Sequence, residues 1–227
     1  MGINLAHKQL EKFNRYYDEL TTWNSRINLT GITEYSQVLI KHFLDSLTAT
    51  MLIPDRVKEE GSIIDVGTGA GFPGIPMKIA FPGLHLALVE SVAKKVNFLH
   101  HIVDALELSS TSIHHDRAEK LGHAPALRGK FDVVVGRSVA SMATLMELTV
   151  PFCRSGGLVI VHKKGDITRE VKEADNAFKL LNSQLVNKIR IDLQGLEDER
   201  CLVVIRKLGD TPGKYPRRPG IPRKRPL

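Results

Sequence analysis

The run Asp65-Val66-Gly67-Thr68-Gly69-Ala70-Gly71-Phe72-Pro73-Gly74 constrains this chain more than any other segment. It follows residues 62–66, a short apolar stretch that reads as a buried strand. It precedes Ile75, Met77, Ile79 and Phe81, an apolar pattern that reads as a helix. Glycines at 67, 69, 71 and 74 let the backbone turn sharply and approach a ligand with no side chain between. Backbone N–H groups at the start of the next helix then face whatever is bound. A strand, a glycine-rich turn and a helix in this order mark a cofactor site at the carboxyl end of a parallel strand. A plain tight turn would not require four glycines, each of which costs chain entropy.

Two cofactor classes compete for the loop. Gly69 to Gly74 satisfies G-x-G-x-x-G, a dinucleotide pattern that is weak by itself. S-adenosylmethionine (SAM) is favoured by the acidic Asp65 at the strand end. A dinucleotide fold needs small apolar residues there, and a carboxylate repels a diphosphate while suiting the cationic end of SAM. The glycine run also starts at the strand exit, giving D-x-G-x-G-x-G. Glu90 ends the next strand, where it can accept hydrogen bonds from ribose hydroxyls of either cofactor.

From residue 61 onward, strand patterns (62–66, 85–89, 111–115, 131–135, 157–162, 187–193 and 201–207) alternate with helical ones (74–81, 92–107, 141–152 and 168–181). Such alternation predicts a parallel sheet with helices on both faces. A short connection around Gly195 and residues 197–200 suits a hairpin, so one terminal strand should run antiparallel. Residues 3–29 carry apolar positions at helical spacing, and Thr33 is placed to cap a second helix. We therefore expect an N-terminal helical subdomain over 1–58, packed on the edge of the sheet beside the cleft. The cofactor-binding α/β domain then covers 59–207, and a tail covers 208–227.

Charge separates the tail from the rest. The chain of 227 residues has a net charge of +7, and residues 208–227 alone hold six basic residues and one acid. With five prolines, this segment is expected to be extended and unpacked, its cations (Arg217, Arg218 and Lys224 among them) free to neutralise RNA phosphates. No apolar stretch is long enough to span a membrane, and no signal pattern opens the chain, so a cytoplasmic location is expected. Two cysteines, Cys153 and Cys201, imply neither a disulfide framework nor a zinc site. The nine histidines form no metal-binding spacing. Nothing demands more than a monomer.

Ligands are expected at the carboxyl ends of the strands. Those ends carry Asp65 and the glycine loop, Glu90 with Lys94 and Lys95, the run from His114 to Glu119, Gly136-Arg137-Ser138, and Lys163-Lys164. Cations therefore gather on the cofactor rim, where a polyanion would lie. After the fourth strand the chain reads Gly136-Arg137-Ser138-Val139, which is not the Asp/Asn-Pro-Pro-aromatic of exocyclic-amine methylases. Cys153 follows Pro151-Phe152 at the end of a helical segment, away from any cleft loop that would suit a nucleophile. Guanine N7 needs neither device, since it has a lone pair and no proton to lose. Arg137 is placed to read a guanine edge or hold the methionine carboxylate; its alternative is an ion pair with Glu119 or Asp65. Trp23, between helix and cleft, reads more readily as a core residue.

Several stretches together resemble one family: Trp23-Asn24-x-x-Ile27-Asn28-Leu29-Thr30, residues 42–47 (HFLDSL), residues 65–76 (DVGTGAGFPGIP), Lys94-Lys95-Val96-x-Phe98-Leu99, Arg117-Ala118-Glu119, residues 137–140 (RSVA), and the basic, proline-rich residues 215–227. Over nearly its whole length the chain resembles the RsmG family (formerly glucose-inhibited division protein B) of bacterial 16S rRNA guanine-N7 methyltransferases. The resemblance implies a Rossmann-like class I SAM-dependent methyltransferase fold. That fold is α/β, with a seven-stranded, mostly parallel sheet that has one antiparallel strand, plus the helical N-terminal subdomain. It implies SAM as cofactor, no metal, and a substrate guanine at nucleotide 527 of 16S rRNA or of the small ribosomal subunit. By motif position it places Gly67, Phe72, Ala118, Glu119 and Arg137 against the cofactor, beside Asp65, Gly69, Gly71 and Glu90. It places Arg117 and Arg200 in catalysis or RNA contact, with Arg137 in catalysis. Residues 120–130 match no fixed pattern and receive no role. The rival functions are an NAD(P)-dependent oxidoreductase, which would need a hydride-transfer set such as Tyr-x-x-x-Lys that is not evident, and a ribosome-associated RNA-binding protein with a relic pocket.

Overall fold

The computed structural model describes residues 2–137, 140–193, 195 and 199–227. Ser138, Val139 and residues 197–198 of the expected hairpin connection lie outside that set. Seven strands form one sheet: β1 (Ser62–Val66), β2 (His85–Glu90), β3 (Thr111–His115), β4 (Phe131–Arg137), β5 (Cys153–Lys164), β6 (Ser183–Ile191) and β7 (Arg200–Lys207). Their order is β3-β2-β1-β4-β5-β7-β6. All pairings are parallel except those of β7, which runs antiparallel to both β5 and β6. The architecture is the expected α/β sheet with one reversed strand.

Alternation on β1 shows why both faces are covered. Ile63 belongs to one apolar cluster and Ile64 to the other, and both are fully buried. A strand that is apolar on both sides needs helices on both sides. On the Ile63 face lie α1 (His7–Ile27), α5 (Gly74–Ala80) and α6 (Ala93–Ala105). The short helices α2 (Tyr35–Val38) and α3 (Asp45–Thr48), joined by a π-helical turn over Leu39–Leu44, add to that face, with α4 (Asp55–Glu60) before β1. On the Ile64 face lie α8 (Met142–Thr149), α9 (Thr168–Glu173) and α10 (Asp175–Leu180), with α7 (Ala118–Leu121) beside α8. A last short helix, α11 (Ile221–Lys224), packs against α8.

The N-terminal helices do not sit on the sheet edge. Phe13, Tyr16 and Leu20 make a buried stripe on α1, and α1 crosses α5 and α6 as an outer layer. One continuous apolar cluster therefore joins Tyr16 to Ile63, Leu86 and Ile160. Helix α1 stops at Asn28, which adopts the left-handed conformation, while the Asn24 side chain accepts from the Leu29 and Thr30 amides at 2.6 and 2.8 Å. The Trp-Asn motif thus ends a helix, and Trp23 packs against Phe98 and His101 of α6. Glu34, not Thr33, caps α2, since its carboxylate accepts from the Ser36 and Gln37 amides. Residues 168–181 form two helices, because the chain leaves helical geometry at Ala174. Among the described residues, no helix is long and apolar enough to cross a membrane.

Candidate functional site

The glycine loop takes positive φ at Gly67 (76°), Gly69 (62°) and Gly71 (97°), a region that disfavours other residues. A Cβ on Gly67 or Gly69 would meet nothing within 4 Å, so their backbone faces open space. At Gly71 a Cβ would lie 2.6 Å from the Tyr16 hydroxyl. Two carboxylates hold the loop from behind. Asp65 Oδ2 accepts from Thr68 Oγ1 at 2.6 Å and from the Gly74 amide, the first of α5, at 2.8 Å. Glu90 Oε2 accepts from the Gly69 amide at 3.0 Å, and its Oε1 from the Ser91 and Val92 amides. The Gly69 and Gly74 amides are among those a bound diphosphate would take. Here they face the protein's own negative charges. This argues against a dinucleotide and for a cationic or neutral ligand.

The cofactor cavity, of about 600 Å³, opens beside this loop. Gly67, Glu90, Arg117, Ala118, Glu119 and Arg137 line it. Its volume falls in the range usual for small-molecule sites, roughly 300–1,000 Å³. The donor set fits SAM. There is bare loop backbone at Gly67, and Glu90 Oε2 retains one acceptor site for a ribose hydroxyl. Apolar walls at Val66, Ala118 and Leu145 suit an adenine ring.

Four of the residues expected at the cofactor lie outside the cavity lining. Asp65 is fully buried and takes no part in the cavity wall; burial pushes its carboxyl up to about 6, against the Thr68 and Gly74 hydrogen bonds and the Arg137 charge. Gly69 and Gly71 shape the loop without lining the cavity. Phe72 is buried in an aromatic stack, its ring 4.6 Å from that of His42 and 5.4 Å from that of Tyr16.

Arg137, at the end of β4, links two cavities. Its guanidinium lies over the Phe72 ring, 5.0 Å from the centroid. It donates to the Lys41 carbonyl and to Asp45 Oδ2, each at 3.2 Å, and lies 3.3 Å from His42 Nδ1. The acid it pairs with is therefore Asp45, not Glu119 or Asp65. Beyond it, a second cavity of about 630 Å³ is lined by Ile32, Lys41, His42, His162, Lys163, Lys164, Glu170 and Arg200. Arg200 opens β7 opposite Lys164 and reaches Asp45 at 3.6 Å. Lys163 is held by Glu170 at 2.6 Å and donates to the Ala140 carbonyl. Burial, then the Arg137 charge, lowers His42 to about 4; burial lowers His162 to about 4 as well. Both rings are neutral near pH 7. Burial pushes the Cys153 thiol up to about 12, so no thiolate nucleophile forms there.

The expected unpacked tail is in fact a docked arm. Tyr215 and Pro222 are buried. Arg128 donates to the Gly122, Thr211 and Tyr215 carbonyls, and His123 Nε2 lies 2.7 Å from the Pro216 carbonyl oxygen. Thus residues 120–130, given no role from sequence, are the ground on which the arm rests. Arg217 is not a free cation: it grips the fully buried Glu147 through its amide, Nε and Nη2. Proline-rich composition alone misleads here, because side chains satisfy the arm's carbonyls and its few apolar residues bury. Arg218 and Lys224 remain exposed.

Comparisons with known proteins identify the family and the fold. A family model described as GidB, rRNA small subunit methyltransferase G, matches residues 9–194. The chain is 49% identical over 227 residues to the ribosomal RNA small subunit methyltransferase G of Dehalococcoides mccartyi, covering all of this chain and 95% of that one. It is 42% identical over 226 residues to the protein of the same name in Bacillus subtilis, covering 94% of it. Among solved structures, M. jannaschii TYW2 in complex with AdoMet superposes with a TM-score of 0.58 at 11% identity, over 80% of this chain and 81% of that one. The M. jannaschii fibrillarin pre-rRNA processing protein gives 0.54 at 16%, over 68% and 69%. At such identities these two speak to the fold alone.

Proposed function

The chain belongs to the rRNA small subunit methyltransferase G family, and from that membership we propose that it methylates N7 of guanine 527 of 16S rRNA, in the usual rRNA numbering. It is a SAM-dependent rRNA methyltransferase. The atom and nucleotide rest on the family resemblance and on the chemistry of the site. The observation that carries the reading is Arg137, which walls both the cofactor cavity and the second, cation-rimmed cavity. That arrangement supports a methyl group presented from one side to a base held on the other.

When bound, SAM would supply an activated methyl group: the N7 lone pair bonds to the methyl carbon as the carbon–sulfur bond breaks, a neutral thioether leaves, and the positive charge passes to the methylated guanine. N7 carries no proton, so no general base is needed. Orientation supplies much of the acceleration, up to ~7–11 kcal/mol in favourable cases. Asp45 fixes the Arg137 guanidinium, and Phe72 and His42 hold its plane. Arg117 lines the cofactor cavity, and Lys164 and Arg200 line the second one. With the exposed Arg218 and Lys224, these are the cations we assign to the RNA. Lys163 and Arg217, held by Glu170 and Glu147, keep the site in shape.

The test is incubation with labelled SAM and either small ribosomal subunits or bare 16S rRNA, both lacking the modification, followed by N7-methylguanine-specific strand cleavage. One cleavage at nucleotide 527 is expected. Label at another base or atom would overturn the assignment.

A further inference from the structure

The docked arm does more than present cations. Gly220, Pro222, Arg223 and Pro226 line the cofactor cavity together with Glu90 and Ala118. Two hydrogen bonds set their position. The Gly220 amide donates to Glu119 Oε1 at 2.9 Å, and the Pro222 carbonyl accepts from Thr144 Oγ1 at 3.0 Å. Gly220 has φ of 83°, the left-handed conformation, and a Cβ there would meet nothing within 4 Å. Behind them, outside the cavity, Arg217 clamps the arm to buried Glu147. Two residues expected to serve the cofactor, Ala118 and Glu119, are therefore on the element that also holds the arm.

We propose that residues 215–226 are the outer wall of the cofactor site, and that Arg217 is a positioning residue for cofactor binding. This rests on the methyltransferase reading above. The wall presents Pro222 and Pro226 to the cavity with Arg223 between them, and its outer side is cationic, where Arg218, Lys224 and Arg225 are exposed. The two prolines suit the adenosyl part of SAM, whose ring they shield from water. Arg217 is absent from the cavity lining, so its effect on the cofactor must pass through the arm.

The test measures the dissociation constant of S-adenosylhomocysteine by calorimetry, without RNA, on full-length parent, Arg217→Met, Arg217→Lys, Pro222→Gly and Arg225→Ser. We expect at least fivefold weaker binding for Arg217→Met and Pro222→Gly, and partial rescue in Arg217→Lys, which keeps a cation for Glu147. Arg225→Ser, on the outer side, should bind within twofold of the parent. Hydrogen exchange of the parent should show residues 215–226 gaining protection when the ligand is added, a readout that holds even if Arg217→Met fails to fold. Equal affinity in all folded variants and unchanged protection would overturn the wall. Failure of the parent itself to bind would instead overturn the methyltransferase reading, and the wall with it.

Discussion

The hydroxyl of Tyr16 donates to the carbonyl of Ala70, tying the outermost helix to the centre of the glycine loop. Tyr16 is fully buried between Phe43 and Phe72, and burial raises its phenol well above the usual range, so it stays a donor. Tyr16→Phe keeps the ring and removes the donor. An unsatisfied buried carbonyl costs about 1–3 kcal/mol. Urea unfolding should show that loss, and SAM affinity should fall because the loop is less firmly held. Unchanged stability would mean that Ala70 finds another partner.

The glycines separate fold from ligand. Gly67→Ala meets open space but must hold a left-handed backbone, a cost of about 1–2 kcal/mol. Its methyl projects beside the cofactor cavity. Gly71→Ala has the same strain and also drives a methyl into the Tyr16 hydroxyl and Ile75. Thermal melts should fall further for Gly71→Ala, whereas calorimetry on the still folded Gly67→Ala should show weakened SAM binding.

Asp65 makes stability depend on pH. Its carboxyl is raised from 3.8 to about 6 by burial. A raised value means that the folded state holds the proton more tightly than the unfolded one. This group's contribution is thus present below pH 4 and lost as pH rises through about 6. Asp65→Asn keeps an acceptor for Thr68 and Gly74 and removes the buried charge. Its advantage over the parent should grow between pH 4 and 6 and level off above, reaching at most roughly 3 kcal/mol. Urea titrations at pH 4.5, 6 and 8 would check it; a constant difference would show that Asp65 titrates normally.

Arg137 acts through its planar fork. Arg137→Lys keeps the charge but loses the Phe72 stack and cannot reach Asp45, the Lys41 carbonyl and His42 together. Misplacement of this kind costs on the order of 100-fold in kcat/KM. Steady-state kinetics on small subunits should show it mainly in kcat, with SAM affinity changed less.

The strands and the glycine loop were legible because their signals are local. Ile63 and Ile64 are both apolar, as a strand covered on both faces requires, and positive φ demands glycine where the chain has it. Partners far apart in sequence were not legible. Tyr16 and Ala70 are 54 residues apart, Asp45 and Arg137 are 92 apart, and Glu119 and Gly220 are 101 apart. Only packing brings them together. Reading the carboxyl ends of strands also passes over Arg200, which reaches the same rim from the beginning of β7 because that strand is reversed. The resemblance supplied it where position could not. The arm was misread because composition counts prolines and charges but not the carbonyl acceptors that Arg128 and His123 meet.

The two carboxylates behind the glycine loop give the site a way to sort its ligands by charge. A loop of this shape with open amides would trap any nucleotide polyphosphate drawn in by the basic rim. With Asp65 and Glu90 already accepting from the Gly74 and Gly69 amides, a polyphosphate would find those donors taken.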